Sequence, residues 1–203
     1  MKRRKNDVMN RYFKCVKNRL CRVLSLCVAM AVMSGCTNDV EDFYARYNAF
    51  LHFPFVTGVP MLHTAMHSGG EFCQITYDDR YFYFKNSEGE TQLYARTGWD
   101  TSYRKPMSVA GFVAGIPSVP DMNMRQTVVA YDLACPTCYE QNMIQRSLTF
   151  SAREEMTCPR CGSVYDLKTG YITESPRTDA VKTLYRYHIT YSNAGSGVLV
   201  VSN

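Results

Sequence analysis

The chain has 203 residues, enough for one domain and short for two. Its formal charge of +5 is unevenly placed: residues 1–35 carry nine Lys or Arg against one Asp, a balance of +8, so the remainder sums to −3. That mildly acidic remainder has no basic patch with interleaved aromatics, which excludes the charge pattern of a nucleic-acid binder.

All nine of the early basic residues fall within residues 2–22, and residues 23–35, VLSLCVAMAVMSG, are uncharged. A basic stretch followed by a short apolar run reads as a secretory signal peptide over residues 1–35. The run is shorter than the roughly 20 residues that span a bilayer. Met33-Ser34-Gly35-Cys36 at its end resembles a bacterial lipobox. The resemblance implies that Cys36 becomes an acylated N-terminus, anchoring the protein through lipid to a membrane of the bacterial cell envelope. A signal anchor that is never cut is the other option. Arg3-Arg4 lacks a following apolar pair, so the route reads as general secretion, with the chain crossing unfolded.

Residues 36–46 read as the lipidated cysteine and a polar tether, and residues 47–203 as one β domain. Runs rich in Phe, Tyr, Ile and Val predict strands at 49–56, 71–77, 81–85 and 92–95, with hairpin turns at 78–80 and 87–90. Residues 97–126 mix Gly98, Gly111 and Gly115 with Pro106, Pro117 and Pro120 around Trp99, and read as a long loop with a little strand or helix. Strands are predicted at 128–133 and 148–150, and a C-terminal hairpin at 183–192 and 198–201. No segment has a convincing helical period, so the fold class is mainly β. His63 and His67 would share a metal on a helix. With no amphipathic pattern or acidic partner, and Ser68-Gly69-Gly70 following, they read as solvated loop histidines.

The chemistry lies in Cys135-Pro136-Thr137-Cys138 and Cys158-Pro159-Arg160-Cys161, with nineteen residues between them. Each turn aims two sulfurs at one point, and the paired spacing reads as a four-cysteine metal site. Two disulfides or free thiols would use the same residues. Of the other cysteines, Cys15, Cys21 and Cys27 lie in the signal, Cys36 is the lipid site, and Cys73 reads as a small buried strand residue.

Downstream of Cys158-Pro159, the residues Gly162-Ser163, Tyr165-Asp166, Gly170, Pro176, Leu184 and Tyr187 fall into step with the second box and closing hairpin of Rieske-type iron–sulfur domains. The chain resembles that family most specifically over residues 158–202. The resemblance implies antiparallel sheets carrying an inserted rubredoxin-like metal subdomain, here about 132–177. It also implies that the Ser163 and Tyr165 hydroxyls hydrogen-bond the centre. The family supplies one Cys and one His from each box. Here cysteines stand at the His positions, and His52, His63, His67 and His188 are elsewhere.

Four thiolates suit zinc, placed first because each turn serves one ion and zinc needs no assembly machinery outside the cytoplasm. An all-cysteine 2Fe–2S cluster and a mononuclear iron are the alternatives. The function classes are a membrane-anchored lipoprotein with a structural metal, or an electron-transfer protein. No nucleophile–base pair, carboxylate pair or phosphate loop points to an enzyme. No residue names a protein or redox partner.

Overall fold

A computed structural model describes residues 44–98, 104–121 and 124–203. The signal peptide, Cys36, tether residues 37–43 and Trp99 lie outside the described residues. The elements in chain order are β1 (Phe50–Phe53), a 3-10 turn (Val56–Gly58), α1 (Pro60–His67), β2 (Glu71–Tyr77), β3 (Tyr81–Asn86), β4 (Thr91–Ala95), β5 (Phe112–Ile116) and β6 (Val129–Asp132). They continue with α2 (Pro136–Asn142), β7 (Thr149–Ala152), β8 (Glu155–Thr157), β9 (Val164–Asp166), β10 (Ile172–Glu174), β11 (Arg186–Ser192) and β12 (Val198–Ser202). Eight strands form one antiparallel sheet in the order β1-β12-β11-β6-β5-β2-β3-β4, and four form a second, β10-β9-β8-β7.

Local chemistry sets the hairpins. Between β2 and β3, Asp78 Oδ1 accepts from the backbone N–H of Arg80 and of Tyr81, both at 2.7 Å. Between β3 and β4, Asn86 Oδ1 accepts from Glu88 and Glu90 N–H. These are the turn-closing bonds for which Asp and Asn are selected. The large sheet curls until its ends meet: the Phe53 ring on β1 stands 5.1 Å from Tyr94 on β4, edge to face. Leu62, Ala65 and Met66 of α1 enter the core enclosed by the curl.

A second core lies on the opposite face of the same strands. Along β2, Phe72 faces the second core while Cys73 and Ile75 face the first. On β5, Val113 divides in the same way from Phe112 and Ala114, and on β6 Val129 and Tyr131 divide from Ala130. This is the two-residue alternation of a strand, with apolar residues on both faces because both are covered. The cover on the second face is the small sheet and α2, which contribute Met156, Tyr165, Cys135 and Cys138. Each large apolar side chain buried there contributes about 1.5–3 kcal/mol.

Several expectations are corrected. Two short α-helices, α1 and α2, are present among the described residues. His63 and His67 lie on α1, not in a loop; Pro60 opens the helix and Leu62, Ala65 and Met66 form its apolar stripe. The strand expected at 49–56 ends at Phe53, where the chain turns through Pro54 into the 3-10 turn. The stretch at 97–126, expected to be a long loop with a little strand or helix, contains β5, a wholly buried strand between β2 and β6 and not a minor loop element. Covered on both faces, it shows no polar alternation to read. Residues 44–46, expected in the tether, lie against β11: Ala45 N–H donates to Arg186 O at 2.8 Å and Tyr44 stacks on His188. Among the described residues no helix is long and apolar enough to cross a membrane.

Tyr131 gives a test of the second core. Its hydroxyl is buried and finds no hydrogen-bond partner. Its ring is packed against Gly170, where φ is +77° and a Cβ would stand 2.9 Å from Tyr131 Cε1. A buried polar group without a partner costs about 1–3 kcal/mol in desolvation. Tyr131→Phe is therefore expected to leave stability unchanged or raise it, read by urea denaturation. A clear loss would mean that a buried water holds the hydroxyl.

Candidate metal centre

Strand β6 leads into the first cysteine pair. Cys135 caps the N-terminus of α2, Pro136 occupies its first turn, and Cys138 follows within it. Tyr139 N–H donates to Cys135 O at 3.0 Å, and the Cys138 backbone N–H is directed at the Cys135 sulfur. The second pair sits in the turn after β8. Gly162 N–H donates to Cys158 O at 3.0 Å, and Cys158 N–H to Ser163 O at 2.9 Å. The backbone N–H groups of Cys161 and Arg160 are directed at the Cys158 sulfur. Gly162 closes the turn at φ +72°, and a Cβ there would press within 3.1 Å of the Pro176 ring.

The four sulfurs converge. All lie within 4.8 Å of one another. Cys135 and Cys161 are 3.6 Å apart across the two turns, and Cys138 and Cys158 are 3.7 Å apart. A tetrahedral ion with metal–sulfur bonds of about 2.3 Å spaces its ligands by about 3.8 Å. The four residues could therefore hold a metal ion with little movement. Cys135, Cys138 and Cys158 are buried and Cys161 is half-buried.

The sulfurs do not hold their protons alike. Cys158 is held far below the ordinary thiol range, at about 4, chiefly by the hydrogen bond from Cys135 and then by the Cys161 and Arg160 N–H groups. Cys135 is pushed up by that same bond and by burial, and Cys138 by burial first and then by its bond with Cys158. Backbone donors aimed at sulfur stabilise a thiolate, the form that binds metal.

Ser163 and Tyr165 differ in what they do. The Cys161 thiol donates to Ser163 Oγ at 3.3 Å, and Ser163 contacts Ser175 Oγ at 2.9 Å, so Ser163 does touch the centre. The Tyr165 hydroxyl reaches no sulfur. It contacts Thr137 Oγ1 at 3.0 Å and donates to Val181 O at 3.1 Å, while Val181 N–H donates to Thr137 Oγ1 at 2.9 Å. This ring of bonds ties the first cysteine turn, β9 and the segment after β10 together. Arg177 in that segment, paired in two bonds with Asp179, is close enough to Cys161 and Cys138 to feel their charge.

Sequence reasoning missed Asp132. Its carboxylate is fully buried at the end of β6. Oδ1 accepts from Ala134 N–H at 2.7 Å and Ala110 N–H at 3.1 Å, and Oδ2 from Val109 N–H at 2.8 Å and Tyr187 OH at 3.0 Å. It pins the approach to Cys135 onto β11 and the loop before β5. A lone Asp in a predicted strand carries no sign of this, because three of its four donors come from two distant segments.

Cys73 stays apart from the centre, in the first core, with its thiol pushed up to about 12 by burial. Cys73→Ala is expected to leave the bound metal per chain unchanged, whereas Cys158→Ala loses most of it. Elemental analysis of the two purified variants checks this, and equal loss in both would show that the ligand set is wrong. No family model, curated protein or solved structure matches the chain.

Proposed function

We propose that the chain is a lipid-anchored protein of the bacterial cell envelope. Its Rieske-like β domain holds one tetrahedral metal ion, zinc first, through Cys135, Cys138, Cys158 and Cys161, in a structural role. The observation that carries this is the sulfur spacing, with all four within 4.8 Å. That spacing suits a single ion. Ligands on the two irons of a 2Fe–2S cluster have bridging sulfides between them and stand further apart, so a cluster would require the two turns to spread. Four protein thiolates also leave no open position for substrate, which favours a structural centre over a catalytic one. The secretory signal adds weight to zinc.

The membrane attachment rests on Met33-Ser34-Gly35-Cys36, with lipid on Cys36. The metal subdomain, about residues 132–177, is the inserted unit that the Rieske resemblance implies. A second reading, an electron-transfer protein with a single iron in the same tetrahedron, is favoured by the half-buried position of Cys161, which brings one ligand sulfur toward the surface.

Protein extracted from membranes without added metal tests both parts. The expected result is one zinc per chain, no visible absorption, and an acylated Cys36 at the N-terminus by mass spectrometry. One iron with a coloured spectrum would establish the second reading. Two irons with matching acid-labile sulfide would overturn the single-ion site. A soluble product that keeps residues 1–35 would sink the anchor.

A further inference from the structure

Helix α1 turns Leu62, Ala65 and Met66 into the first core and leaves His63 half-buried and His67 exposed beside each other. Residues four apart share a helix face. The two imidazoles stack with centroids 4.1 Å apart and planes 28° from parallel. His67 Nδ1 is 2.8 Å from the His63 carbonyl oxygen. A carbonyl only accepts, so the proton sits on Nδ1 and Nε2 carries the acceptor lone pair. Metal-ligating histidines are commonly oriented in this way, with the other ring nitrogen donating to a backbone carbonyl. The Tyr191 hydroxyl on β11 lies 3.4 Å from that Nε2, and its ring meets the His67 ring edge-on at 5.4 Å.

We propose that His63 and His67 form a second, open metal site for a divalent cation of the Ni2+, Cu2+ or Zn2+ class, with the Tyr191 phenol at its rim. Imidazole donors select these borderline ions over Mg2+ and Ca2+, which take oxygen ligands. Rotation of the His63 ring brings its nitrogen to the ion that His67 Nε2 binds, the geometry on which helical His-x-x-x-His pairs rely. Unlike the four-cysteine centre, this site leaves coordination positions free for water or an incoming ligand. It therefore exchanges its ion readily and is exposed to metal in the surrounding solution. The inference rests on α1 and β11 alone and stands whichever metal the cysteines hold.

Ni2+ is the probe, because it does not oxidise thiols as Cu2+ does. It is titrated into the full chain, as purified, while imidazole nitrogen resonances are followed by NMR. Signals of His63 and His67 are expected to broaden first, with His52 and His188 unaffected as internal controls. His63→Gln and His67→Gln are each expected to weaken Ni2+ binding by at least about tenfold, as loss of a ligand should exceed loss of a ligand's supporting bond. Equal broadening of all four histidines would overturn the site. So would a His63→Gln protein that binds as tightly as wild type, since one imidazole would then suffice.

Discussion

Chelating the metal is expected to open the small sheet and α2 to amide exchange while β2–β5 and the β11–β12 hairpin stay protected. The reason lies in how the second core is made. Strands β8, β9 and β10 have three residues each, and three of the four cysteines are themselves buried members of that core. Thiolate coordination is worth roughly 10–16 kcal/mol in small zinc peptides at neutral pH, and in such units binding energy is folding energy. The large sheet should depend on a metal there far less, since its first core holds none of the four cysteines. Hydrogen exchange with mass spectrometry before and after chelation reads the difference peptide by peptide. Protection should fall by well over tenfold across residues 136–166. A uniform fall across both sheets would mean that the two cores melt as one unit. No change at all would mean that the cysteines are not holding a metal.

Asp132→Asn is the point substitution away from the cysteines with the largest expected effect. An ionised carboxylate accepts on both oxygens, and here each oxygen takes two donors. An amide accepts on one atom only and turns an NH2 toward donors on the other side. Two of the four donors lose their partner inside the fold, at about 1–3 kcal/mol each. The loss of stability should therefore be roughly 2–6 kcal/mol by chemical denaturation. Burial pushes the Asp132 carboxyl above its ordinary range, against the pull of the four donors. Tyr187→Phe, which removes one donor and leaves the others in place, should cost about 1 kcal/mol. An Asp132→Asn protein as stable as wild type would show that the carboxyl is protonated in the fold, since a protonated acid and an amide offer similar bonding.

The same residue shows why Asp132 could not be found from sequence. Its partners lie 2, 22, 23 and 55 positions away. No local pattern marks a residue whose role is set by the arrival of two other segments. Strand β5 escaped for a related reason: burial on both faces replaces the polar alternation by FVAGI, which reads equally as a loop among glycines. Helix α1 was legible in principle, from Pro60 and the spacing of Leu62, Ala65 and Met66. Eight residues are too few for the period to stand out, and the helix is held by the core beneath it more than by its own propensity.

By itself the sequence determined what short-range chemistry controls. The hairpins β2–β3 and β11–β12 follow from turn residues between apolar runs, and the mainly β class follows from those runs. The candidate ligands follow from two Cys-x-x-Cys turns, whose geometry is set within a few bonds. Only the tertiary structure decided which sulfurs face each other, Cys135 with Cys161 and Cys138 with Cys158, because that depends on how β8 of the small sheet is stacked against the large sheet that contains β6. It also decided that Ser163 touches the centre while Tyr165 bonds to Thr137 and Val181, and that His67 meets Tyr191, 124 positions away. Contacts of that separation are fixed by packing two cores on one sheet, and packing is a property of the whole chain.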